Sequence, residues 1–295
     1  MIKKKSILVI IMIITMLFQF GSSFSSAEDA STIRIVYADS DITDADNWQY
    51  SYIVGNENGY AASPDIQQWL KDIDPANIRQ VSISSEHLLV LLDDHKVLAY
   101  GNNDYGQCDT QDWECTSICA DDYCSYGIST DGTILYCGIE EDNGVKDWED
   151  IVQLSADYVV VGRDYDGTAC FSHDLSITPP SNVREIITNG LEIAWIDNQD
   201  RVTFAEIDGS VVEELEWRDV KEIAFACHYY LCGLDSKGEL LLYLFPNKST
   251  IKEELQGITI EHIFRNGLID REGNIYLFDH VYTPRLIDTL PTGVQ

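Results

Sequence analysis

The sequence is short of basic residues. Nineteen Lys and Arg stand against 50 Asp and Glu in 295 residues, a net charge of −31. A nucleic-acid binder needs a basic footprint to displace phosphate counterions, so that class is excluded. Charge-driven docking on an anionic membrane is excluded for the same reason. Only seven Pro and 19 aperiodic Gly are present, which excludes collagen-like and low-complexity chains. No Cys-x-x-Cys or His-x-x-x-His spacing offers a zinc site. There is no Gly-x-Ser-x-Gly elbow and no P-loop.

Apolar residues are plentiful: 45% of the chain is hydrophobic and 11% aromatic, enough for a real core. The one long apolar run is residues 7–20. It follows Lys3, Lys4 and Lys5 and precedes small residues, with Ser25 and Ala27 at −3 and −1 of a cleavage point before Glu28. About 14 residues are too few to span a bilayer, so residues 1–27 are expected to be a secretory signal peptide. An uncleaved anchor is the rival. Cleavage leaves 16 basic against 50 acidic residues, a net charge of −34. The expected location is extracellular, with no membrane association after cleavage.

The organisation is a repeat. Two-residue turns recur at Asn58-Gly59, Asp94-His95, Asp131-Gly132, Asp166-Gly167, Gln199-Asp200, Lys237-Gly238 and Glu272-Gly273, 33 to 38 residues apart. Gly, Asn and Asp supply the positive φ that such hairpins require. Alternating apolar residues follow each turn, as in Val97 and Ala99, Ile134 and Tyr136, Leu240 and Leu242. Apolar runs precede each turn, and a further strand precedes those, as in residues 80–83, 151–154 and 222–225. Each unit is therefore a meander of three to four antiparallel strands.

Seven small sheets bury both faces by packing around an axis. The expected fold is all-β, a seven-bladed β-propeller of ~36-residue repeats filling 28–295 as a single domain. Six blades is the alternative, because the first unit is the weakest, and an open β-solenoid is the other. The two chain ends are expected to share one ring-closing blade. Residues 64–73 place Ile66, Trp69, Leu70 and Ile73 at helical spacing after Ser63-Pro64, which predicts a short helix.

One unit carries a recognisable signature. Val81-Ser82-Ile83, His87 through Leu91, and Val97-Leu98-Ala99-Tyr100-Gly101-Asn102-Asn103-Asp104-Tyr105-Gly106-Gln107 together resemble a repeat of the regulator-of-chromosome-condensation family. The other units lack the Gly-x-Asn-x-x-Gly-Gln end, and the His survives only as His87. The resemblance implies the propeller fold. It does not carry over the exchange-factor activity of the family's founding member. A signal peptide and short repeats look more like secreted bacterial members, which include a protein inhibitor of β-lactamase.

Chemistry is sparsely indicated. The six His are scattered and are expected to be satisfied or exposed. Ser129-Thr130-Asp131-Gly132 departs from the Ser-x-Asp-x-Gly-x-Thr-Trp box of sialidase-like propellers. With 50 acids, pairing arguments carry no weight. No cofactor is expected. Calcium is the best candidate, at Asp39, Asp41, Asp44 and Asp46 or at Asp164 and Asp166, but neither segment fits a twelve-residue loop. Eight Cys in an exported chain suggest disulfides of undetermined connectivity, although Cys119 and Cys232 fall at core positions. Trp113, Trp148 and Trp217 precede the first strand of three units and are expected between blades.

A binding surface remains. Each third strand ends at one face of the disc, where Tyr100, Tyr243 and Phe278 supply aromatics and the following loop adds Asp104 and Tyr105. In the β-lactamase inhibitor, aromatics at this position form much of the contact. The expected function is a monomeric, non-enzymatic protein-binding module favouring a partner with a basic surface. Inhibition of a secreted enzyme such as a β-lactamase, cell-wall carbohydrate binding and a propeller hydrolase are the alternatives. Convergent axial carboxylates of perturbed pKa would favour the last.

Overall fold

The computed structural model describes residues 35–44, 49–56, 58–139, 144–173, 175–226, 229–245, 249–253, 258–278 and 284–291. The leader, residues 1–27, lies outside them, as do Asp46, Cys227, His228 and His280.

All seven turns named above place their second residue at positive φ. Five are Gly; His95 (70°) and Asp200 (58°) are not. Acids staple six of these turns: Asp94 accepts the Lys96 N–H and Asp131 that of Thr133, and in four the acid stands before the turn pair. Asp164 accepts the Thr168 N–H, Asp197 those of Gln199 and Arg201, Asp235 those of Lys237 and Glu239, and Asp270 those of Glu272 and Asn274. These carboxylates mimic the backbone acceptor of a turn. Part of the acidic excess is therefore structural.

Among the described residues the strands form seven antiparallel meanders. The first comprises Ile35–Asp44, Gln49–Asn56 and Gly59–Ala62. The second is Ile78–Ile83, His87–Leu92 and Val97–Gly101; the third Cys115–Ala120, Cys124–Ser129 and Ile134–Gly138. The fourth is Ile151–Asp157, Val159–Asp164 and Ala169–Phe171. Three blades add a fourth strand: Val212–Glu214 after Val183–Thr188, Glu192–Asp197 and Val202–Glu206; Ser249–Glu253 after Val220–Ala226, Tyr230–Asp235 and Leu240–Leu244; and Pro284–Thr289 after Ile260–Phe264, Gly267–Asp270 and Asn274–Phe278. The first strands of successive blades touch all the way round, the seventh returning to the first. They line the axis.

The core is divided among seven apolar clusters, each between consecutive blades. Residues 33–295 form one compact unit. The expected Trp packing is present. Trp113, Trp148 and Trp217 enter the clusters on the preceding-blade side, and their benzo edges lie over Gly127, Gly162 and Gly233 of their own middle strands. The helix spans Pro64–Leu70 and buries Ile66 and Leu70, while the Ser63 hydroxyl accepts the Tyr52 N–H rather than capping it.

Ring closure departs from expectation. The two ends do not share a blade: the N-terminal strand opens the first sheet and the C-terminal strand completes the last. The turns at 56–59 and 270–274 give each sheet three strands of its own. Closure comes instead from side chains. Val54 and Ala61 pack on Phe264, Ile269, Ile275 and Leu277, the Tyr52 hydroxyl donates to Asp288 (2.8 Å), and the Asn56 amide donates to the Pro291 carbonyl (3.1 Å).

Candidate interaction face

Loops that leave the third strands return to the tips joining first and second strands. Asn102 N–H donates to the Glu86 carbonyl, Ile139 to Tyr123, Ile207 to Leu191 and Phe245 to Tyr229. Tips and loops therefore share one face of the disc.

The Gly-x-Asn-x-x-Gly-Gln segment explains how that face is held. A Cβ on Gly101 (φ 129°) would lie 2.5 Å from the Glu86 carbonyl oxygen, so only Gly lets the strand end there. Asn103 closes the loop by accepting the Cys108 N–H (2.7 Å). Gln107 is buried, accepts the Tyr105 N–H and donates to the Asp122 carbonyl of the next blade. The Ser125 hydroxyl donates its single proton to the Gln107 carbonyl (2.6 Å). His87 Nε2, 2.7 Å from Ser125 Oγ, must then carry the ring proton, and Nδ1 faces Ser84 Oγ. Burial pushes the His87 pKa down to about 4, opposed by Asp122, so it is neutral at pH 7. His87 and Gln107 are thus structural ties between blades.

The candidate residues divide. Asp104 and Tyr105 are exposed, and Tyr105 meets Tyr123 edge-on (5.5 Å). Tyr100 is partly exposed and stacks on Trp69 (5.1 Å). Tyr243 and Phe278 are 1% and 2% exposed, which corrects their placement on the surface. Their strands are flanked by a fourth strand, with Thr250 opposite Tyr243 and Pro284 opposite Phe278, and their rings enter inter-blade clusters. The Tyr243 hydroxyl donates to Glu213 (2.9 Å).

Sequence reasoning missed the tips themselves. Tyr123, Tyr158, Leu191 and Tyr229 sit there and, with Tyr105, are 48–76% exposed. Tyr158 alone turns the chain between Asp157 and Val159, at φ 52°. A bulky residue held there is strained, a feature concentrated at functional positions. The available signal was a Tyr beside an acid or another Tyr at a strand junction, as in Asp122-Tyr123, Asp157-Tyr158 and Tyr229-Tyr230.

At the axis, Arg265 of the seventh blade pairs with Asp157 of the fourth (2.9 Å), crossing the ring. Asp121 lies beside them. Burial pushes its carboxyl up to about 6; the Tyr123 N–H opposes this, Asp157 and Asp122 add to it, and Arg265 opposes it. Asp39 accepts the Ile83 N–H (2.8 Å), so that acid ties blades together. Among the described residues no three His, Cys, Asp or Glu form a group able to hold a metal. Among them, too, no helix is long and apolar enough to cross a membrane.

Residues 78–107 match the family model of the regulator of chromosome condensation (RCC1) repeat. No curated protein matches the chain in sequence. In structure the chain is similar to Prp20p of Saccharomyces cerevisiae (TM-score 0.56, 13% identity, 86% of this chain and 84% of that one). It is also similar to human WBSCR16 (0.55, 15%, 79% and 84%) and to the CRINKLY ectodomain of the Arabidopsis thaliana receptor kinase ACR4 (0.55, 14%, 71% and 81%). The chain therefore has a β-propeller fold, and its second blade carries the sequence of an RCC1 repeat.

Proposed function

We propose that the chain is an exported, non-enzymatic binding module that docks one protein partner across the tip face. One observation carries this reading. Five large, exposed side chains from blades two to six, Tyr105, Tyr123, Tyr158, Leu191 and Tyr229, surround the acidic axial mouth of Asp121, Asp122 and Asp157. Tyr-rich surfaces on a rigid scaffold supply contact area at low conformational cost. The acidic centre favours a partner with a basic patch and speeds encounter with it. Prp20p, of similar fold, is described with its binding properties to Gsp1p and histones, which supports a protein partner. Inhibition of a secreted enzyme is one form this binding takes.

The raised Asp121 carboxyl is the observation that favours the hydrolase alternative. Immobilised protein, without the leader, separates the readings when exposed to its own culture medium and cell envelope. A partner should be retained by the wild type, lost by Tyr158→Ala with Leu191→Ala, and weakened by 0.5 M salt. Equal capture by the double variant sinks the docking face. Glycan hydrolysis abolished by Asp121→Asn would replace the binding reading with the enzymatic one.

A further inference from the structure

Cys108, Cys124 and Cys137 are half-buried thiols, and two of them, Cys108 and Cys137, touch the loop that carries Asp104 and Tyr105. Cys137 Sγ donates to the Gln107 carbonyl (3.4 Å), and the Cys108 nitrogen is the next atom along that peptide. Cys108 Sγ donates to the Asn102 carbonyl (3.2 Å), at the other end of the same loop. Cys137 Sγ thus contacts the peptide that leads directly into Cys108, and the two thiols are near enough to interact electrostatically; a disulfide spans a Cα separation of about 4.4–6.8 Å.

The sheet register selects the pair. Cys137 stands opposite Ser125 and Cys124 opposite Gly138. Successive side chains on a strand point to opposite faces, so Cys124 and Cys137 lie on opposite sides of the third blade. Their packing agrees: Cys137 lies on the cluster between blades two and three, Cys124 on that between three and four. Among the described cysteines, Cys108 and Cys115 lie on the Cys137 side; Cys115 Sγ is packed against Gly127, whereas Cys108 follows directly on the Gln107 carbonyl that Cys137 Sγ contacts. Cys115, Cys119 and Cys232 are buried as small hydrophobes.

We propose that Cys108 and Cys137 form a disulfide that clasps the Asn102–Cys108 loop of the second blade to the outer strand of the third. In the chemistry, the Cys108 thiolate attacks a sulfur of a low-molecular-weight or protein disulfide and expels one thiolate. The Cys137 thiolate then attacks the Cys108 sulfur and expels the second. Two thiols lose two electrons and two protons, and one disulfide of the oxidant becomes two thiols. The bond requires the Cys108 side chain to rotate off the Asn102 carbonyl. Burial raises both thiol pKa values, Cys137 to about 12, so the exchange is slow at neutral pH and quickens with alkali. The clasp would fix Asp104 and Tyr105 before a partner arrives, and it forms or fails independently of any partner.

The test equilibrates the folded protein with oxidised glutathione at pH 8.5, alkylates residual thiols and maps linked peptides under non-reducing conditions. The expected result is a 108–137 linkage, a Tm rise of about 5 °C or more, and loss of both in Cys108→Ser. Cys124→Ser should keep both. A protein that retains its native circular dichroism while positions 108 and 137 remain alkylatable overturns the proposal. So does either residue pairing with another cysteine.

Discussion

Single residues matter here through the shape of the space beside them. Gly101 and Gly132 both have positive φ, but a Cβ at Gly101 meets the Glu86 carbonyl oxygen at 2.5 Å and the His87 Cα at 2.7 Å, whereas at Gly132 nothing lies within 4 Å. Gly132→Ala therefore costs only the backbone strain, about 1 kcal/mol. Gly101→Ala adds a collision that only strand movement relieves, and its expected cost is about 3 kcal/mol. Urea unfolding of the two variants checks the contrast, and equal costs would remove the steric account. The same scale explains what sequence alone conveyed about the face. Tyr105 and Asp104 were readable because the Gly-x-Asn-x-x-Gly-Gln motif locates their loop. Tyr243 and Phe278 were not, because their exposure depends on a fourth strand whose residues, such as 249–253, carry no turn signature of their own.

Elements are joined by polar side chains as much as by apolar ones. The Gln80 amide bonds both the Ile118 carbonyl (2.9 Å) and the Ile118 N–H (3.1 Å) of the next blade. Gln153 does the same to Ile186 (3.1 and 3.3 Å), and Glu222 accepts the Ile263 N–H (2.9 Å). All three occupy the position just after the bulge in an inner strand. An inner strand has no sheet partner on its axial side, so these side chains satisfy backbone groups that would otherwise lie unpaired near the axis. Gln153→Ala should cost about 2–3 kcal/mol by leaving both Ile186 groups without partners, and Gln153→Glu should fall between, keeping the acceptor but losing the donor. Denaturant titration measures this; a neutral Gln153→Ala would show that water replaces the amide. Strand order and turn positions were legible because a period of two and a positive-φ turn are local signals. The bridges were not, because they join residues 33 to 41 apart whose pairing exists only once the ring is formed.

At the scale of the whole ring, the axis concentrates charge that the sequence spreads along 295 residues. Glu185 is enclosed by the inner strands, and burial pushes its carboxyl up to about 7; Arg184 opposes the shift, Glu222 adds to it and Arg163 opposes it. Asp121 is held at about 6 by the same cause. The folded ring binds these protons more tightly than the unfolded chain does, so each group's stabilising contribution is complete below its ordinary pKa. It is lost as pH rises, from about 4 to 6 for Asp121 and from about 4.5 to 7 for Glu185. His87 acts in the opposite sense, with stability lost as pH falls from 6.5 to about 4. Subtracting the Asp121→Asn profile from the wild type isolates one term. The variant should match the wild type near pH 4 and exceed it by about 2–3 kcal/mol at pH 7, because Asn carries no charge to desolvate. Urea midpoints at the two pH values decide it, and parallel profiles would mean that Asp121 is better solvated than its enclosure implies. The same imbalance gives the acidic mouth its chemistry: at neutral pH Asp121 is an incompletely compensated carboxylate beside Asp157 and Asp122. A cationic side chain from a partner would relieve the desolvation that the ring imposes, so partner affinity should rise from pH 5 to pH 7 in the wild type and stay flat in Asp121→Asn.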